Sequence, residues 1–74
     1  MSNQCKRVLE YIRLHGSITS AEAMTELGVY RLASRINDLR RCGIEIRREM
    51  VTVVNRWGEK TRIARYSLVE EAAA

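Results

Sequence analysis

Apolar positions recur at helical spacing through the first half of this chain and at every second position through much of the rest. Cys5, Val8, Leu9 and Ile12 fall at i, i+3, i+4 and i+7, which predicts a helix over residues 4–15. Ser2 or Asn3 can cap its start, and Gly16 is placed to end it in a left-handed conformation. Ser17 and Ile18 read as an extended link, with Ile18 a candidate short strand for a later sheet. Thr19-Ser20-Ala21-Glu22 has capping-box spacing and starts a second helix over residues 20–27, with Ala23, Met24 and Leu27 inward. Gly28 breaks it by taking the positive φ that a tight turn requires. Val29, Leu32, Ala33, Ile36 and Leu39 then form the buried stripe of a third helix over residues 30–42, closed by Gly43. Arg31, Ser34, Arg35, Asp38 and Arg41 are left along its outer side, with Tyr30, Asn37 and Arg40 toward the edges.

After Gly43 the period changes. Ile44-Glu45-Ile46-Arg47 alternates, Met50 to Val54 is rich in β-branched residues, and Thr61 to Leu68 alternates again. In the last segment Arg62, Ala64, Tyr66 and Leu68 share one side. The intervening Asn55-Arg56-Trp57-Gly58-Glu59-Lys60 is turn-prone, so a β-hairpin with its tip at Arg56 to Lys60 is predicted. The expected fold class is α+β: three helices followed by a two-stranded hairpin, with a short strand at Ile18. The ordered core is expected over residues 4–69, and the tail over 70–74 is expected to fray.

Seventy-four residues make one small domain, whose marginal core favours a compact architecture and self-association. Phe and Pro are absent, so aliphatic side chains must fill the interior. No apolar run approaches the ~20 residues that span a bilayer, and the start is too charged for a secretory signal, so a cytoplasmic location is expected. Cys5 and Cys42 lack metal-ligand spacing and are expected as reduced, buried thiols. The lone His15 sits in the last turn of the first helix, where the dipole accounts for it.

The charge distribution says more than the total of +4. Residues 1–30 are neutral, whereas residues 31–65 hold ten basic residues against four acidic ones. All but two of the 13 basic residues are Arg, which suits bidentate contact with phosphate and guanine. Positive charge therefore collects where two short helices meet at a tight turn, the unit that places one helix in a DNA major groove. No Gly-rich phosphate loop, nucleophile–histidine arrangement or carboxylate pair points to an enzyme, and no cofactor, metal or small-molecule ligand is expected. Paired sheet aromatics that would stack RNA bases are absent as well.

The run HGSITSAEAMTELGVYRLASRINDLRRCGIEI, followed by RIARYSL, resembles the winged helix-turn-helix superfamily, and more narrowly the small helix-turn-helix proteins of bacteriophages and prophages. The resemblance covers about residues 5–69. It implies a third helix in the major groove, with Arg31, Ser34 and Arg35 toward base edges and Tyr30 on bases or phosphate. It also implies a wing tip (Arg56, Trp57 and Lys60) along the backbone or in the minor groove, with Arg40, Arg41, Arg47 and Arg62 as phosphate contacts. One departure is Ser34, six positions after Gly28, where compact helix-turn-helix proteins carry a β-branched aliphatic residue; this favours the winged variety.

Several residues have plainer readings. Arg35 and Asp38 can pair on the helix surface, Arg40 and Arg41 suit a helix C-terminus without any ligand, and Trp57 can pack on the hairpin. The function expected is double-stranded DNA binding by a transcriptional regulator or phage accessory factor. The alternative is a protein-interaction module, such as a phage inhibitor or assembly factor, anchored by Trp57 and Tyr30. A homodimer or a protein partner is the expected complement to one small module, and either the first helix or the tail would supply the face.

Overall fold

In a computed structural model that describes residues 2–69, α1 spans Asn3–His15. The Ser2 hydroxyl accepts from the Cys5 N–H at 3.2 Å, and Gly16 ends the helix at φ 90° with its N–H on the Ile12 carbonyl. Cys5, Val8, Leu9 and Ile12 are buried, as their spacing requires. The chain then extends through β1 (Ile18–Thr19), where Ile18 pairs with Tyr66 of the last strand.

Thr19 closes the expected capping box. Its side chain accepts from the Glu22 N–H at 3.3 Å, while Glu22 Oε1 accepts from the Thr19 N–H at 2.9 Å. The helix α2 starts as one α-turn, Ser20–Glu22, and runs on as a π-turn over Ala23–Leu27. The Gly28 and Val29 N–H groups both fall on the Ala23 carbonyl, and Gly28 leaves the turn at φ 68°. This wide turn buries Ala23, half-buries Leu27 and leaves Met24 46 % exposed, so the expected inward Met24 is corrected.

The third helix, α3, spans Leu32–Arg41 rather than starting at Tyr30. Arg31, the N-cap residue, is not helical (φ −117°, ψ 64°), so Tyr30 and Arg31 precede the helix and belong to the turn. The helix therefore takes its phase from Leu32, Ile36 and Leu39, all buried. Ala33 lies about 90° from the centre of that stripe at 100° per residue and is exposed, against expectation. Cys42 is the C-cap, past the last buried turn, and its thiol is exposed; only Cys5 is a buried thiol.

The strands β2 (Ile46–Val54) and β3 (Lys60–Leu68) form the hairpin, and β1 joins on the other side of β3 to give the order β1-β3-β2. Ile46 opposite Leu68, and Tyr66 opposite Arg48, bring the base of the hairpin onto the helices. Toward the tip the ribbon leaves the helical body, so Arg62, in phase with Tyr66, is exposed. The other face of the ribbon half-buries Val51, Val53 and Ile63 against one another, with Val51 directly opposite Ile63. One core joins the whole, from Val8 and Ile12 through Ile18, Leu32, Ile36 and Leu39 to Tyr66. The tail expected to fray, residues 70–74, lies outside the described residues.

Candidate nucleic-acid interface

The buried stripe of α3 sets what its opposite face presents. At 100° per residue, Ser34 and Arg41 lie about 170° from the centre of that stripe, Asn37 and Asp38 about 130° on either side, and Arg35 and Arg40 only about 70°. Asn37 and Arg41 are exposed and Ser34 is half-buried. Asn37, which sequence spacing put at an edge, therefore stands on the outer face beside Ser34 and Arg41, with Asp38 on their other side. The signal that finds it is the phase of Leu32, Ile36 and Leu39 taken without Val29 and Ala33.

The two flanking arginines are hooked onto neighbouring elements. Arg35 Nη2 lies 3.3 Å from Asp38 Oδ2, its Nη1 donates to Gln4 Oε1 of α1 at 3.5 Å, and its buried Nε has no protein partner. The Arg35 and Asp38 side chains are 27 % and 40 % exposed, so their pairing is a surface one and weak. On the other flank Arg40 Nη2 donates to the Ile46 carbonyl at 3.0 Å, fastening the end of α3 to the start of β2. Tyr30 is 79 % exposed, and with Gly28, Arg31, Arg35 and Gln4 it lines an open cleft at the turn before α3.

Asn55 builds the wing tip. Its Oδ1 accepts from both the Trp57 and the Glu59 N–H at 2.9 Å, and its backbone N–H donates to the Glu59 carbonyl at 2.9 Å. This closed loop holds Trp57 outward, 75 % exposed, with the Arg56 guanidinium 5.7 Å from the ring centroid. The indole is therefore not packed on the hairpin; its close neighbour is a cation. Lys60 is the first residue of β3, just behind the tip, and Arg62 follows on that strand.

Arg47 is placed apart from these groups, in a cleft with Arg13, Gly16, Ile12 and Leu68. Arg48, which sequence reasoning passed over, is exposed on β2, its Nη2 3.8 Å from Met50 Sδ. Opposite strand positions bring Glu49 and Arg65 together, with Arg65 Nη2 2.6 Å from Glu49 Oε1. The hydrogen bonds and the charge of Arg65 hold the Glu49 carboxyl below its ordinary value.

Arg35–Asp38 and Arg65–Glu49 are the ion pairs among the described residues. Arg31, Arg40, Arg41, Arg47, Arg48, Arg56, Lys60 and Arg62 thus carry charge that no carboxylate neutralises there. Such a surface, with short polar side chains between the cations, can bind a polyanion and place hydrogen-bonding groups against base edges. No group of metal-ligating side chains is found among the described residues, and no helix there is long and apolar enough to cross a membrane.

A family model described as a winged helix-turn-helix domain matches residues 3–71. No curated protein and no solved structure matches the chain.

Proposed function

The chain belongs to the winged helix-turn-helix family, a DNA-binding fold, and from that premise we propose that it reads double-stranded DNA as a single domain over residues 1–74. In this reading α3 enters the major groove, with Ser34, Asn37 and Arg41 facing base edges and Arg31 and Tyr30 at the entry of the helix. Arg35 joins them by leaving Asp38. Arg56, Trp57 and Lys60 lie along the backbone or in the minor groove, and Arg40 and Arg62 meet phosphates, whereas Arg47, in its cleft with Arg13, stands outside this surface.

The observation that carries this reading is the concentration of unpaired cations on α3 and the hairpin, around a row of short polar side chains. Asn37 suits adenine in the major groove and Arg41 suits guanine. The role we infer is that of a transcriptional regulator or accessory factor, acting in the cytoplasm of a bacterial or phage-infected cell. Its support is the resemblance to small phage helix-turn-helix proteins. No catalytic step is part of this reading.

Selection of bound duplexes from a random pool tests it, and an enriched motif is the expected result. If four to six phosphates are neutralised, log K falls against log salt with a slope of about −4 to −5. Binding to mixed-sequence duplex that does not weaken between low and moderate salt overturns the proposal.

A second reading rests on the exposed rings of Tyr30 and Trp57, which fit anchors for an acidic protein surface. An unchanged Trp57 fluorescence during duplex titration, together with no mobility shift, selects that reading instead.

A further inference from the structure

The groove between α1 and α2 lies outside the surface used above. Arg7, Glu10, Tyr11, Leu14 and Leu27 line it. Leu14 lies about 180° round α1 from the buried face and is 74 % exposed, whereas Tyr11 and Leu27 are half-buried and form an apolar floor. The Tyr11 phenol is raised above its ordinary pKa by partial burial and by the nearby carboxylates Glu22 and Glu26. Arg7 and Glu10 stand at the rim, and neither is in an ion pair among the described residues.

We propose that this groove is a self-association face, and that its occupant is the same groove of a second copy of the chain. Charge selects that occupant. The cleft at Arg13 and Arg47 carries cations alone and repels its own copy, and in the one at Arg31 and Arg35 the second arginine is already held by Asp38. The cleft at Ile44 has one charge of each sign, but its Arg40 is spent on the Ile46 carbonyl. The lining of the groove at Leu14 holds one cation, one anion and an apolar centre, with Glu22 and Glu26 near Tyr11 outside that lining, so Arg7 of one copy can complement Glu10 of another. A two-fold axis through it can bring each Arg7 within reach of the other copy's Glu10, with the two Leu14 side chains between.

Area sets the strength. A groove lined by five residues falls well short of the ~800 Å² per partner of a standard stable interface. The free protein is accordingly a weak dimer, which forms fully only when two copies are held close, as on one duplex. That last clause rests on the DNA-binding reading; the self-association itself does not.

Analytical ultracentrifugation without DNA, from about 10 μM to about 1 mM in moderate salt, tests the proposal. The average mass should rise from one chain toward two. Leu14→Glu, at an exposed site that leaves the core intact, should weaken association at least tenfold while circular dichroism and thermal midpoint stay as in the parent. Arg7→Glu and Glu10→Arg should each stay monomeric alone and associate when mixed, because only the mixture pairs opposite charges across the axis. A parent of one-chain mass throughout the range overturns the proposal, as does a mixture no heavier than its components. Failure of the chain to bind DNA leaves these outcomes unaffected, so the two readings fail separately.

Discussion

Removing Asp38 should tighten DNA binding, and the reason lies in what Arg35 does in the free protein. Arg35 is held 3.3 Å from the Asp38 carboxylate and touches Gln4 at 3.5 Å, so it must leave both to reach a base or phosphate. With side chains 27 % and 40 % exposed, the pair is worth about 0.2–1 kcal/mol. Releasing it corresponds to about 1.4- to 5-fold in affinity at 1.4 kcal/mol per decade. Asp38→Ala also takes a negative charge away from the phosphates, which helps any cation nearby.

A double-mutant cycle separates the two effects. Asp38→Ala is compared in the parent and in Arg35→Ala, by fluorescence anisotropy on a selected duplex at fixed salt. The gain should be larger in the parent, because only there is an arginine released. An equal gain in both backgrounds means that the carboxylate acts through its field alone and that Arg35 is not a DNA contact. Arg35 is then only a helix-surface partner of Asp38, while Asn37 and Arg41 are tested by their own substitutions.

Other expectations follow from the same geometry. Arg62→Ala should weaken all duplexes alike and make the salt slope shallower by about 1, whereas Asn37→Ala should cost about 1–3 kcal/mol at one base position only, as read from binding to a panel of single-base variants. Leu39→Ala, at a fully buried site, should cost about 2–5 kcal/mol in urea unfolding, a large share of the ~4–11 kcal/mol typical for 74 residues. Thr19→Ala removes the capping box and should cost about 1 kcal/mol in the same assay. Glu49 is held below its ordinary value of 4.5, so its pairing with Arg65 stabilises the fold above that pH and fades as pH falls through the lowered folded value. The gap in thermal midpoint between the parent and Glu49→Gln should therefore close in acid; a gap that widens there contradicts the assignment.

Local signals carried much of the fold. The capping box at Thr19 and Glu22 depends on four consecutive residues, and the left-handed ends at Gly16 and Gly28 depend on one residue each. The pairing of Ile18 with Tyr66 is long-range, yet alternation around Tyr66 and the isolated Ile18 were enough to suggest a strand there. What failed needed a phase or a tertiary partner. Val29 is buried but lies outside α3, so counting from it rotated the helix and turned Ala33 inward and Asn37 aside. The π-turn at Ala23–Leu27 changes the residues per turn, and no residue type in it announces that. Arg35 reaches a glutamine 31 positions away, and Arg40 reaches a strand carbonyl; neither contact leaves a trace in spacing.

The outer edge of β2 bears on how the protein behaves in a test tube. Since β2 neighbours only β3, every second residue of this nine-residue strand turns its backbone donor and acceptor outward, and Met50 to Val54 contains no charge. Such an edge is a template for another strand, and Arg47 and Arg48 are the charged residues of β2 outside an ion pair that can keep copies apart there. Their protection is electrostatic, so it is screened by the same salt that strips nucleic acid from a basic protein during purification. The high-salt wash that yields clean protein is thus the step at which edge-to-edge aggregation is favoured, and a short polyanion added before concentration should suppress it.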